Sequence, residues 1–222
     1  MLDKKNIIKT TPSPSLKVGG QKLPALLRRG WGWFVILLFV GFGMFSCLKK
    51  PEFSIIPAIF PDYVINKPTI NTVSGRVIED SLFISIKYQD GDGDIGLTAA
   101  DTLPPFGIFE GNNRNNPRNK FYWNYHCQMQ TKINGIFVDF VLPGEQNLNG
   151  RISPLLEGTV KSPIEGSILY IPTAVPSDIF YDVINQTTRY NVETRFKIFI
   201  YDKARNQSNE ILTETVILNK RF

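Results

Sequence analysis

Three aspartates alternate with glycines in YQDGDGDIG, Tyr88 to Gly96: Asp90, Asp92 and Asp94. A hard cation such as calcium takes roughly six to eight oxygen ligands at about 2.3–2.6 Å, mostly from carboxylates and carbonyls. Carboxylates at every second position can turn inward together when the backbone curls, and glycine permits the curl. The stretch begins like an EF-hand loop, and Asp101 falls at the twelfth position of such a loop. Ile95 occupies the sixth position, where that loop needs glycine, and no helical pattern flanks it, so it is not an EF-hand. One reading is a calcium loop of another kind, with Asp101 the weaker ligand candidate. The preferred reading is a solvated turn, because Asp and Gly dominate turns for reasons of their own.

Other chemistry is sparse. His126 is the single histidine, with no second histidine or paired cysteine at metal-ligand spacing. Cys127 lies on an apolar strand face and reads as a small buried hydrophobe. There is no G-x-S-x-G and no Walker-type glycine loop. One further candidate is the Asn- and Arg-rich run PPFGIFEGNNRNNPRNKFYWNY, Pro104 to Tyr125. Long polar loops in compact domains are often functional. Tyr122, Asn113 and Arg114 are its candidate ligand-binding residues, for a sugar or a peptide; the plainer reading is a surface loop leading into core aromatics.

The elements that must position these residues are strands. LFISIKY places Leu82, Ile84, Ile86 and Tyr88 on one side, and RFKIFIYD places Phe196, Ile198 and Ile200 together. FYWNYHCQM does the same with Phe121, Trp123, Tyr125, Cys127 and Met129. A period of two with one apolar side marks a half-buried strand. Asn134-Gly135 between apolar runs is a hairpin signal. GSILYIP and EILTETVIL add further strands, and PSDIFYDVI, Pro176 to Ile184, suits one short helical turn capped by Ser177 or Asp178. About seven strands in this length predict an all-β fold, an antiparallel β-sandwich. With LFISIKY as the second strand and RFKIFIYD as the penultimate one, the loops after both emerge at one end of the sandwich. Asp202 is therefore expected beside Asp90, Asp92 and Asp94, where four carboxylates without a cation would repel one another.

The ends say where the chain is used. Residues 1–46 hold seven of the 25 basic residues and one of the 20 acidic ones, followed by the apolar run WGWFVILLFVGFGMFS. A basic flank and a short apolar centre describe a secretory signal. The 16 residues from Trp31 to Ser46 span about 25 Å as a helix, short of a bilayer core of about 30 Å. Removing the leader turns a net charge of +5 into 18 basic against 19 acidic side chains, so a basic footprint for nucleic acid disappears. After acylation of Cys47, Cys127 has no intrachain partner, so no internal disulfide is expected. Prolines 51, 57, 61 and 68 make residues 47–68 read as a tether before the domain at 69–222.

Three resemblances sharpen this. MFSC, Met44 to Cys47, resembles a bacterial lipobox, which implies cleavage before Cys47 and acylation of its sulfur. IYDKARNQSNEI resembles the turn before the last strand of bacterial immunoglobulin-like and fibronectin-III-like domains, keeping Asp202, Ala204, Asn206 and Ser208 but carrying Arg205 in place of glycine. Trp123 resembles the core tryptophan of such domains, although their inter-sheet cysteine pair is absent. Lipobox, tether, aspartate loop and this ending together look like surface lipoproteins of Bacteroidetes bacteria. The resemblance implies a lipid-anchored protein of the cell envelope, at the outer membrane because Leu48 follows the cysteine. Its partners would be the membrane and an unidentified envelope protein or glycan. Three uses remain open: a non-catalytic binding or assembly module, a carbohydrate-binding module, or a hydrolase working through the acidic rim.

Overall fold

The computed structural model describes residues 51–221 apart from 145, 157 and 159; the signal peptide expected at 1–46, the acylation expected at Cys47 and the start of the expected tether lie outside the described residues. In chain order the strands are β1 (Ala58–Ile70), β2 (Val77–Asp90), β3 (Tyr125–Ile133), β4 (Ile136–Asp139), β5 (Ile164–Tyr170), β6 (Val175–Pro176), β7 (Tyr181–Asp182), β8 (Thr187–Thr188), β9 (Val192–Ile200), β10 (Ile211–Leu212) and β11 (Val216–Leu218). Seven of these run for three residues or more, the number the sequence pattern implies. One sheet has the order β1-β2-β5, with β6 also on β2. The other runs β10-β9-β3-β4, with β11 also on β9, and β7-β8 form a small separate ribbon. The pairings are antiparallel and the fold is an all-β sandwich. Among the described residues no helix is long and apolar enough to cross a membrane.

The alternation read from the sequence builds the core. Leu82, Ile84, Ile86 and Tyr88 of β2 meet Tyr125, Cys127, Met129, Phe196, Ile198 and Ile200 of the facing sheet in one cluster. Full burial of such side chains contributes about 1.5–3 kcal/mol each. The β3–β4 hairpin turns at Asn134 and Gly135, both at positive φ (51° and 84°), the conformation a two-residue hairpin loop demands.

Three expectations need correction. The chain from Ala58 to Pro68, read as tether, belongs to β1, so the domain begins earlier than residue 69. Its prolines mislead because β1 is an edge strand, where a missing N–H can face away from the ladder. Pro61 sits at a register shift and Pro68 pairs with Asp80. Second, the aromatic strand starts at Tyr125, not Phe121, since Tyr122 N–H closes a turn onto the Asn119 carbonyl. Trp123 thus precedes the strand half-buried, and the fully buried Tyr125 takes the core position, its ring 4.2 Å from that of Tyr170. Third, the turn Ser177–Phe180 is a 3₁₀ helix whose N-cap is Pro176, with no side-chain cap.

Candidate functional site

β2 delivers Asp90 to the end of the sandwich, and the chain then curls through Gly91–Gly96. Asp94 N–H donates to Asp90 Oδ2 over 3.0 Å, which closes the curl. A side chain at Gly91 would overlap the Phe53 carbonyl oxygen, so glycine is required for the incoming chain to lie against the loop. The loop backbone ties several segments together. Gly91 N–H donates to Ser54 O (2.8 Å), Ser162 N–H to Asp92 O (3.2 Å), Lys203 N–H to Asp94 O (3.0 Å) and Leu155 N–H to Ile95 O (3.2 Å).

The three aspartates are brought together as the spacing suggested: one carboxylate oxygen of each lies within 4.8 Å of those of the other two. Asp90 is completely buried, and the Oδ1 atoms of Asp90, Asp92 and Asp94 are buried without a hydrogen-bond partner. Burial, with the charges of Asp202, Asp92 and Asp90 added, pushes the Asp94 carboxyl up to about 6. Burial and the neighbouring Asp92 raise Asp90 likewise. Both shifts follow from burying like charges beside one another.

Asp202 arrives from the end of β9 and is close enough for its charge to raise Asp94 and Asp90, as the topology argument anticipated. Its carboxylate is nevertheless committed elsewhere. Oδ1 accepts from Asn206 N–H and Oδ2 from Asn206 Nδ2, each at 2.7 Å. That closes the turn in which Arg205 adopts φ 72°, at the position where the resembled pattern carries glycine. Asp101 is not part of the cluster. Its Oδ2 accepts from Thr98 N–H (2.7 Å) and Thr98 Oγ1 (2.8 Å), and Lys203 Nζ stands 3.4 Å from Oδ1. Partial burial works to raise its pKa, but the Thr98 bonds and Lys203 together hold it below the ordinary carboxylate value.

Two basic residues that the sequence reading passed over shape this end. Lys161 Nζ lies 2.6 Å from Asp92 Oδ2 at the rim. Arg151 donates from Nη1 to Tyr122 O (2.8 Å) and from Nη2 to Asp101 O (2.9 Å), and its guanidinium stands 5.2 Å from the Tyr122 ring centre. Neither is near its partner in sequence, so no local pattern could have flagged it. A pocket of about 550 Å³ opens beside the loop, lined among others by Asp92, Asp94, Thr98, Lys161 and Lys203.

The ligand-binding candidates of the long loop separate. Tyr122 lines a hollow of about 190 Å³ with Trp123, His126, Lys120, Asn147 and Asn149. Asn113 and Arg114 are not among its lining; Asn113 Oδ1 accepts from Asn115 N–H in a local turn. His126 stacks on Phe199 with ring centres 4.6 Å apart, and its Nε2 faces the carbonyls of Lys120 (3.1 Å) and Trp123 (3.0 Å). Cys127 is buried, and burial pushes its thiol well up.

No protein-family model, no curated protein and no solved structure matches this chain.

Proposed function

We propose that this chain is a lipid-anchored protein of the cell envelope, acylated at Cys47, whose sandwich serves as a non-catalytic binding or assembly module. The observation that carries this reading is the way the chain enters the fold. Phe53 and Ser54, the sixth and seventh residues after Cys47, lie against the aspartate loop, and β1 follows at once. Six residues of chain reach no more than about 22 Å, so an acylated Cys47 would keep the loop end of the sandwich near the membrane surface. The division of strands supports the immunoglobulin-like reading. β1, β2 and β5 form one layer, while β3 shares the other with β9 and the short β10 and β11, as A, B, E and C, F, G do in such sandwiches. The residue types able to do chemistry have structural employment: Cys127 in the core, His126 on two backbone carbonyls. The Oδ1 atoms of Asp90, Asp92 and Asp94 are buried, which favours a role in binding over acid–base work at those atoms.

Feeding cells an alkyne fatty acid tests the anchor. Label is expected on the wild-type chain in the membrane fraction and is lost in Cys47→Ser. An unlabelled, full-length polypeptide with residues 1–46 still attached overturns the reading. Capture of the intact protein from its own membrane then identifies its neighbours.

A second reading, glycan capture, is favoured by the hollow at Tyr122, where aromatic rings stand beside Asn and Lys side chains. Such a lining suits stacking on a sugar face and hydrogen bonding to its hydroxyls. A glycan array decides it: binding that fails in Trp123→Ala supports capture, and a blank array removes it.

A further inference from the structure

Asp90 carries the inference. It is 0 % exposed, its Oδ2 accepts from Asp94 N–H, and its Oδ1 has no partner. An acidic cluster alone would say little, but a fully buried carboxylate with an orphan oxygen is another matter. The large majority of buried side-chain acceptors find a partner, in the protein, in water or in an ion. The orphan oxygens of Asp92 and Asp94 repeat the pattern, and the three residues bring carboxylate oxygens within 4.8 Å of one another. Two ligands on opposite sides of a calcium ion are about 4.6–5.2 Å apart, so one ion fits among them.

We propose that Asp90, Asp92 and Asp94 bind one calcium ion, which fastens the incoming chain and the loops around residues 155 and 162 to the end of the sandwich. The donors are all hard oxygens, with no imidazole or thiolate beside them, which selects against zinc and copper. Magnesium holds its ligands at about 2.0–2.1 Å and keeps several waters. Here three carboxylates converge, where magnesium usually takes one or two, and the coordination positions that the three acids leave open fall to water or loop carbonyls. Asp202, its own oxygens bonded to Asn206, stays outside the ligand set and adds negative charge nearby. Lys161 holds the other Asp92 oxygen at the rim, and the Oδ1 atoms of all three acids remain without a hydrogen-bond partner. Because the loop backbone bonds to Ser54, Leu155, Ser162 and Lys203, an ion that fixes the loop fixes all four. This assignment stands whether or not Cys47 is acylated.

The test uses the full chain in detergent, stripped with a chelator and then titrated with calcium or magnesium by calorimetry, with thermal unfolding in parallel. Expected are a single saturable calcium site, a melting temperature that rises with calcium, and magnesium binding weaker by about tenfold or more. Asp94→Asn is expected to weaken calcium binding by about tenfold or more while keeping a β-rich circular dichroism spectrum. Asp92→Asn serves if Asp94→Asn does not fold, and the wild-type titration decides if neither does. No saturable calcium binding in the wild type, or unchanged affinity in a folded variant, overturns the site. Magnesium binding as tight as calcium overturns the choice of ion.

Discussion

Lys161 Nζ sits 2.6 Å from Asp92 Oδ2, while Oδ1 of the same carboxylate is buried without a partner. One aspartate thus divides itself between an exposed ammonium at the rim and the acidic cluster within. The bond to Asp92 and the surrounding carboxylates raise the pKa of Lys161, so it is charged at neutral pH. A bound cation would feel that charge as a competitor. Lys161→Met is therefore expected to tighten calcium binding, roughly two- to fivefold at low salt, given the modest strength of exposed pairs. The gain should shrink in concentrated salt, because the ammonium is largely exposed and screened. Calorimetry at two ionic strengths checks it; weaker binding in the variant would show that Lys161 positions Asp92.

Gly91 meets the carbonyl groups of Phe53 and Ser54 with no room for a β-carbon. Gly91→Val should force the incoming chain off the loop at a cost of about 1–3 kcal/mol, the usual penalty for overfilling a packed site. Urea unfolding reads the total. Hydrogen exchange should show the Gly91 amide, which donates to Ser54, losing protection before β3 and β9 do.

At the opposite end of β2, Asp80 is fully buried and bonds two remote segments: Oδ1 accepts from Asn66 Nδ2 (2.6 Å) and Oδ2 from Asn219 N–H (2.8 Å). Burial raises its pKa, and the two bonds work against that rise. Asp80→Ala leaves the Asn219 amide unsatisfied and should cost about 1–3 kcal/mol. Calcium affinity should be unchanged, since Asp80 lies near the start of β2 and Asp90 at its end. Denaturant melts with and without calcium separate the two effects.

His126 is the only histidine, so a single imidazole signal reports on the aromatic end. Burial lowers its pKa below the ordinary 6.5, against the raising effect of its bonds to the Trp123 and Lys120 carbonyls. The folded state therefore holds the proton less tightly than the unfolded one. Stability from this group is fully present above about pH 6.5 and is lost as pH falls toward and through the lower folded value. NMR titration should place the imidazole below 6.5, and His126→Gln should remove this group's loss of stability toward low pH, leaving the opposite contribution of Asp94, whose carboxyl is pushed up to about 6. A folded pKa above 6.5 contradicts the burial argument.

Much of the framework can be read along the chain. β2, β3 and β9 announce themselves because each buries one face, and a period of two survives in any sequence that must do so. β1 does not, since prolines that exclude a central strand are tolerated on an edge. Trp123 deceived for a related reason: alternation continued past the point where hydrogen bonding stopped, and the turn at Asn119–Tyr122 has no periodic signature.

For the site, the spacing of Asp90, Asp92 and Asp94 was set locally, and strand direction was enough to bring Asp202 near them. The division of labour among the acids was local only in part. Asp202 turns to Asn206 and Asp101 to Thr98, four and three residues away, whereas Lys161 reaches Asp92 and Lys203 reaches Asp101 only in the folded chain. The amino-acid sequence by itself determined the long central strands and the acidic curl, because backbone preference and hydrophobic period act over a few residues. Only the tertiary structure decided which carboxylate oxygens are left unpartnered, because burial and pairing depend on side chains that arrive from dozens of residues away.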